Sequence, residues 1–561
     1  MAQEYKLKDI TSFADIAPME KIECEVEGVP EGKVLVLKHD GQVHALGAHC
    51  THYGAPMKLG VVAPDGRITC PWHGACFKIS TGDVEDAPAP NALNKFDVFE
   101  KNGAVYIRGT EADIKAGQRN PVIKCSVSQP EERVVIVGGG SGTLGVVQTL
   151  RELKYPGHIT MISREPNLII DRTKLSKALI ADASKIEWRP KEWYDEAAIE
   201  TISDEVTAVD FEKKSVSTRS GKDIPYTKLV LATGGEPRLL PLPGFKAGEL
   251  GNIFTLRGVA DVQAILGAAG SGKKNVVVVG SSFIGMEVGN ALSKDHSVTI
   301  VGMESAPMER VMGAEVGRVF QKNLEKNGIV FKLSAGVAKA EASASNAQSV
   351  GAVHLKDGTV LPADLVVLGV GVRPATDFLR DNASISLEKD GSIATDTHFA
   401  VPGLDNSVFA IGDIATFPYR GPGADVANGG SPTRIEHWNV AQNSGRGVAR
   451  AIVHSRRSSL SSLPAKAFIP IFWSALGAQL RYCGNTVHGY DDVLLRGEPE
   501  NGKFVAYYSK GDTIVAVATM GVDPVMAKSA ELMRRGNMPS KKEIVDGVDV
   551  LQVGVPEGIR M

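Results

Sequence analysis

Cysteine is scarce in this chain. Six in 561 residues make no disulfide framework, which points to a reducing compartment. An excess of basic charge is also missing. Lys plus Arg number 62 against 65 for Asp plus Glu, and the net charge of −3 argues against a general nucleic-acid binder, which needs a basic surface. No apolar run approaches the ~20 residues of a membrane-spanning helix. Residues 1–30 hold no arginine but carry Glu4, Asp9, Asp15, Glu20 and Glu23, the reverse of an Arg-rich, acid-poor transit peptide. The cytosol is therefore the expected compartment. What is present is ordinary: 43% apolar and 23% charged residues allow each of several domains a normal core.

The few cysteines stand where they carry chemistry. Cys50-Thr-His52-Tyr-Gly and Cys70-Pro-Trp-His73-Gly are separated by seventeen residues between His52 and Cys70. Two thiolates and two imidazoles on two short loops can hold a [2Fe–2S] cluster, cysteines on one iron and histidines on the other, which is the Rieske arrangement. A zinc ion also takes two Cys and two His, but common finger spacing groups like with like, whereas each loop here supplies one of each. Such a cluster moves one electron at a time, so the remaining sequence is expected to contain a source of electrons.

Residues 1–110 read as a small all-β module. Asp40-Gly41 and Asn102-Gly103, each between apolar runs, are strong hairpin signals. Residues 111–130 read as a polar linker. From Arg133 the pattern becomes strand, glycine turn, helix, at 133–152 and again at 275–295, which implies parallel sheets. The two starts suggest two Rossmann-like α/β dinucleotide-binding domains, the second (256–394) inserted in the first (131–255 and 395–460). The Ser-rich stretch 455–463 reads as a linker. Residues 465–561 form a final α+β domain.

The first turn, Val134-Val-Ile-Val-Gly138-Gly-Gly140-Ser-Gly142-Thr143, lets backbone and a helix N-terminus approach a pyrophosphate. Thr143 stands where a third glycine is expected, which should loosen helix–strand packing. Glu165 follows the next strand and fits a ribose contact. The second turn, Gly280-Ser-Ser282-Phe-Ile-Gly285-Met-Glu287, has Ser282 in place of the middle glycine. No Arg or Lys stands after strand 297–301 to meet a 2′-phosphate, which favours NADH over NADPH. Glycine turns also occur in α/β proteins without nucleotide; two turns in the right setting reduce that alternative. Ala232-Thr-Gly and Gly412-Asp413 at strand ends add support for a flavin.

Residues 133–465 resemble the FAD- and NAD(P)H-dependent reductases that include ferredoxin and rubredoxin reductases and apoptosis-inducing factor. The resemblance rests on Asp171-Arg172-x-Lys174-Leu-Ser176-Lys177, Trp188-Arg-Pro-Lys-Glu, Ala232-Thr-Gly-Gly-x-Pro-Arg238, Gly369-Val-Gly371-Val-Arg-Pro374, Glu436-His437-Trp438 and Pro470-Ile-Phe-Trp473-Ser. With its Rieske module, the whole chain is similar to the apoptosis-inducing-factor-like branch, whose known members include mitochondrial ones. The resemblance implies FAD contacts at Gly138, Gly140, Glu165, Arg172, Lys177, Ala232, Arg238 and Asp413. It implies NAD contacts at Gly280, Phe283, Ile284, Gly285, Glu287 and Gly371. Catalytic roles would fall to Lys177, Glu287, Glu436, His437 and Trp473 around the flavin ring and nicotinamide pocket. The plain alternatives are a core Trp473 and a solvated Lys177. Ala55 and Trp72 occupy the positions where respiratory Rieske proteins place a bracing disulfide, so the loops resemble the ferredoxin type.

These parts imply an oxidoreductase passing electrons from NADH through FAD to the cluster and on to a protein or small-molecule acceptor. A disulfide reductase lacks its redox cysteine pair in this α/β region. A ring-hydroxylating oxygenase lacks its catalytic iron domain. The other class in play is an NADH-sensing signalling protein with slow turnover, whose only basic cluster would be Arg534-Arg535 with Lys541-Lys542.

Overall fold

The computed structural model describes residues 2–559. Asp40 and Gly41 (φ 48° and 73°) join strands Lys33–His39 and Gln42–Gly47; Asn102 and Gly103 (51° and 71°) join Lys95–Lys101 and Ala104–Gly109. Two consecutive positive φ values are what a tight hairpin between twisted strands requires. These strands form a six-stranded antiparallel sheet with Gln3–Lys6 and Lys21–Glu25 at its edges. A four-stranded antiparallel sheet follows: Val61–Ala63, Arg67–Thr69, Cys76–Lys78 and Val84–Asp86. The Cys50 loop precedes it and the Cys70 loop turns within it. The segment expected as a linker, 111–130, begins as structure. Glu111–Ala116 is helical, capped by Thr110, and Gln118–Arg119 pairs with Ala92–Leu93. Ile114, buried beneath the first sheet, is the apolar anchor that draws this helix in.

Val134, Val135 and Ile136 are fully buried. A strand covered on both faces belongs inside a parallel sheet, and Arg133–Val137 is the centre of one. Its order is Ile199–Ser203, His158–Ser163, Arg133–Val137, Lys228–Leu231, Val408–Ala410, all parallel. The second sheet runs Ile253–Phe254, Leu365–Leu368, Asn275–Val279, Ser297–Val301, Val330–Lys332, also parallel. The first sheet takes its last strand from beyond the second, so the second unit is an insertion. The C-terminal unit is a five-stranded antiparallel sheet (471–520) packed against helix Val525–Arg534.

Thr143 does not loosen the first unit. Its hydroxyl donates to the Gly138 carbonyl at 2.7 Å and ties the turn to the helix. Close approach is supplied elsewhere: helices Ser141–Glu152 and Trp438–Ser455 cross at glycines. A Cβ on Gly145 would lie 2.2 Å from the Gln442 carbonyl oxygen, and one on Gly445 2.1 Å from that of Gly142.

The N-terminal module docks through polar contacts. Asn439 donates to the Ala87 carbonyl at 2.9 Å, Arg446 to the Val84 carbonyl at 2.6 Å, and Gln148 to the Pro90 carbonyl at 3.1 Å. Lys466 meets Asp86 at 2.7 Å and Arg535 meets Asp65 at 2.6 Å. Arg534 and Arg535 are thus neither a solvated face nor a basic patch. Both are buried, held by Glu531 on their own helix and by Asp65 of the module.

Candidate active site

The two cluster loops share one construction. Cys50 N–H donates to the Ala55 carbonyl at 2.8 Å and Cys70 N–H to the Ala75 carbonyl at 2.7 Å. Each loop turns on a left-handed glycine, Gly54 (φ 77°) and Gly74 (φ 71°), a conformation costly for any other residue. The backbone N–H groups of His52 and Tyr53 near Cys50, and of Trp72 and His73 near Cys70, favour the thiolate form of each sulfur. The imidazole Nδ1 atoms of His52 and His73 lie 3.1 Å apart. Two ligands about 2.1 Å from one tetrahedral metal are separated by roughly 3.4 Å, so the ring nitrogens are spaced to share an iron. All four side chains are buried. Burial foremost, then the Lys174 charge, lowers the His52 pKa to about 3; burial and the neighbouring His52 push His73 well down. Both rings are therefore neutral, the form that binds metal. Among the described residues, no three His, Cys, Asp or Glu side chains converge as one mononuclear ion would need. The histidines face each other and the cysteines face each other, a two-and-two division that suits a two-iron cluster.

A cleft of about 670 Å³ runs from the first glycine turn to the C-terminal sheet. Gly138, Gly140, Glu165, Arg172, Lys177, Ala232, Asp413, Phe283, Ile284, Glu287, Glu436, His437 and Trp473 all line it. Gly138 holds φ 127°, and a Cβ there would be 2.1 Å from the Ala232 carbonyl oxygen. Gly140 is the N-cap of helix Ser141–Glu152 with no side-chain cap, and nothing lies within 4 Å of where its Cβ would stand. Uncapped N–H groups facing open space suit a pyrophosphate. Gly138→Ala is expected to purify without flavin and to melt earlier, since both the clash and the positive φ cost on the order of 1–3 kcal/mol each. Flavin absorbance and thermal unfolding are the readouts.

The cleft is strongly charged. Arg172 forks onto both oxygens of Glu165 (3.0 and 2.8 Å) and donates to the Arg257 carbonyl at 2.6 Å. Burial opposes ionisation of Glu165, but Arg172 and Arg257 hold its carboxyl below the usual range. Arg257 reaches Asp413 at 3.3 Å. Burial raises Glu436, with Arg434 partly offsetting it. Deeper in, Glu287 accepts from Lys177 at 3.0 Å, Ser474 at 2.5 Å and Ser176. His437 caps helix Trp438–Ser455, its Nδ1 accepting from Asn439 N–H at 3.3 Å. That assigns the proton to Nε2. Burial, then Lys177, lowers its pKa to about 3.

Four expected contacts do not line this cleft. Arg238 is exposed and its Nε donates to the Val372 carbonyl at 2.9 Å; the short strand pairing at Gly235–Pro237 carries it past the cleft. Glu236, two residues earlier, lines the cleft instead. Gly280 and Gly371 stand at the carboxyl edge of the second sheet with φ 111° and 95°. Gly285 serves packing: a Cβ there would be 2.3 Å from the Gly280 carbonyl oxygen. Ser282 spares the turn crowding by donating its hydroxyl to the Gly369 carbonyl at 2.8 Å.

The cluster loops and the cleft meet at Trp473. Its ring centroid lies 4.5 Å from His73, 5.3 Å from His52 and 5.1 Å from His437. Its indole N–H is buried with no partner among the described residues, as expected of a group that faces a cofactor. Gly74 packs on the neighbouring Ile471, whose Cδ1 would be 2.3 Å from any Cβ. Tyr53 stacks on His52 at 3.8 Å and donates to Asp171 of the first α/β unit. Arg481, from the C-terminal sheet, lies over Trp72 at 5.5 Å and pairs with Asp523 at 3.1 Å. Its charge bears on Cys70. Tyr53, Arg257 and Arg481 carry no signal in the sequence, because their partners lie 118, 156 and 42 or more positions away. Arg481→Met is expected to lower the cluster's midpoint potential by the equivalent of about 1–3 kcal/mol, since a nearby cation favours the reduced state. Potentiometry followed by electron paramagnetic resonance checks this.

None of the six cysteines lines the cleft, so dithiol exchange at the flavin is excluded. Residues 132–445 match the family described as pyridine nucleotide-disulphide oxidoreductase, residues 9–97 the Rieske [2Fe-2S] domain, and residues 471–552 the reductase C-terminal domain. Apoptosis-inducing factor 3 of Homo sapiens is 37% identical over 523 residues, 91% of this chain and 82% of the relative. The benzene 1,2-dioxygenase system ferredoxin–NAD(+) reductase subunit of Pseudomonas putida is 30% identical over 65% of this chain and 83% of its own. Among solved structures, a covalent putidaredoxin reductase–putidaredoxin complex aligns with a TM-score of 0.67 at 27% identity, covering 76% of this chain and 98% of that one. The chain belongs to the pyridine nucleotide-disulphide oxidoreductase family, in its apoptosis-inducing-factor-like branch with an N-terminal Rieske domain, and is an FAD-dependent NAD(P)H oxidoreductase.

Proposed function

We propose that this enzyme takes electrons from NADH and delivers them through its own Rieske loops to an external one-electron acceptor. When bound, FAD supplies hydride acceptance and the cluster single-electron carriage. The chain's residues do the rest. Gly138, Gly140, Glu165 and Arg172 would hold the flavin's pyrophosphate and ribose end. Lys177, fixed by Glu287, sets a positive charge in the cleft. Neutral His437 and Trp473 exclude water where the cleft meets the cluster loops. Cys50, Cys70, His52 and His73 would hold the two irons. Fusing both modules in one chain keeps the acceptor's effective concentration high. Glu304, after strand Ser297–Val301, stands where a carboxylate accepts from ribose hydroxyls, which favours NADH; it holds the exposed Arg310 in an ion pair at 3.0 Å.

One observation carries this reading: Trp473 touches both cluster histidines and His437 of the cleft. Trp473→Ala is therefore expected to leave NADH reduction of flavin near its wild-type rate and to slow cluster reduction on the order of tenfold to a hundredfold. Stopped-flow absorbance resolves the two phases; equal slowing of both would contradict the proposal. Of the basic cluster that the signalling alternative would use, Arg534 and Arg535 are buried in the module interface, while Lys542 is exposed. No helix among the described residues is long and apolar enough to cross a membrane.

A further inference from the structure

A second cavity, about 710 Å³, lies in the seam between the N-terminal module and the C-terminal unit, with no residue in common with the flavin cleft. One wall carries Met19, Lys21 and Val62, the other Pro524, Lys528 and Val555. Its size falls within the range of about 300–1,000 Å³ typical of small-molecule sites. Apolar side chains share the walls with charged ones, and Lys21 and Lys528 line the seam from opposite modules. Lys21 has one hydrogen bond, to the Gly60 carbonyl at 2.6 Å. Lys528 forms no salt bridge among the described residues; a wall cation without a carboxylate partner is uncommon when half-buried.

The other charges around the seam do not neutralise this pair. Lys38, a third cation, donates to the Phe13 carbonyl at 3.4 Å. Asp40 points to solvent, 83% exposed, and faces His39 at 3.4 Å. Glu557 is exposed on the tail. Burial, then the Lys528 charge, lowers the Lys21 pKa; burial lowers that of Lys528, with Glu531 opposing. The two cations therefore oppose each other in a seam that an anion would relieve.

We propose that this seam cavity binds an amphipathic organic anion, a carboxylate or phosphate head between Lys21 and Lys528 with an apolar body against Met19, Val62 and Val555. The head needs the cations; the body is what distinguishes the site from a surface lysine pair. Because the walls belong to different modules, the bound anion clamps the Rieske module to the reductase. This is independent of the electron route proposed above.

The test is calorimetric titration of the FAD- and iron-loaded full chain with octanoate, octyl phosphate, inorganic phosphate and 1-octanol. The expected result is one saturable site for octanoate or octyl phosphate, weakened on the order of tenfold or more in Lys21→Met/Lys528→Met, in line with loss of charge-assisted hydrogen bonds. Lys528→Arg should retain binding. NADH oxidation by the double variant should be unchanged, which certifies its fold. Saturating octanoate should also slow proteolytic cleavage within residues 120–131. Absence of a saturable site, equal binding by 1-octanol or by inorganic phosphate, or undiminished binding in the double variant would each overturn the site. Unchanged cleavage would overturn the clamp.

Discussion

Cys70→Ala is expected to abolish the cluster outright while leaving NADH able to bleach the flavin. The Cys70 sulfur is one of two thiolates that one iron requires, and it is buried. The backbone N–H groups of Trp72 and His73 lie near it and favour its thiolate. Alanine removes the ligand, and no other cysteine substitutes: Cys76 lies nearby, but its Sγ already accepts from Arg67 at 3.1 Å and its thiol is pushed up to about 11, burial being the main cause. The variant should contain flavin but neither iron nor acid-labile sulfide. Ferricyanide, a small acceptor, should still be reduced. Reduction of a protein acceptor such as cytochrome c should fall on the order of a hundredfold or more, the scale on which loss of a positioned reaction partner is felt. Full retention of cytochrome c reduction would show that electrons leave from the flavin directly.

The second large effect is at Glu287. Its carboxylate is 4% exposed, accepts from Lys177, Ser176 and Ser474, and joins the inserted unit to the first unit and the C-terminal strand. Glu287→Ala strips the partner from a largely buried ammonium and two buried hydroxyls. Breaking such a pair costs about 3–5 kcal/mol, because the remaining charge stays dry. The expected drop in Tm is roughly three to four degrees for a chain of this length. Glu287→Gln keeps the shape and can still meet the serine hydroxyls but leaves Lys177 without a carboxylate, so it should recover only part of the stability. Both variants free Lys177 to move, so both should slow flavin reduction by NADH. A Gln variant as fast as wild type would reduce Glu287 to a structural part.

Much of this architecture is legible in the sequence because the chemistry is local. The cluster loops are read from four residues, and their repeated Gly-Ala after the histidine is a further signal, since Gly54-Ala55 and Gly74-Ala75 close both turns in the same way. The two parallel sheets are visible as apolar runs ahead of glycine turns. Docking between modules is not visible. Arg534 and Arg535 look like surface charge until Asp65, some 470 positions away, is placed against them. Arg238 sits in a matching motif yet points past the cleft, because a motif fixes backbone path and not side-chain direction. Tyr53 looks like filler in a loop and turns out to stack on a cluster histidine. Thr143 and Ser282 look like defects at glycine positions, yet each hydroxyl finds a backbone carbonyl.

The most direct test of the central claim is an anaerobic titration of the purified full chain with NADH, followed at once by visible absorbance and electron paramagnetic resonance. The account predicts that flavin absorbance bleaches and that the signal of a reduced Rieske cluster grows with it, without any added carrier. Bleaching of the flavin with no cluster signal, in protein that contains the iron, would contradict it.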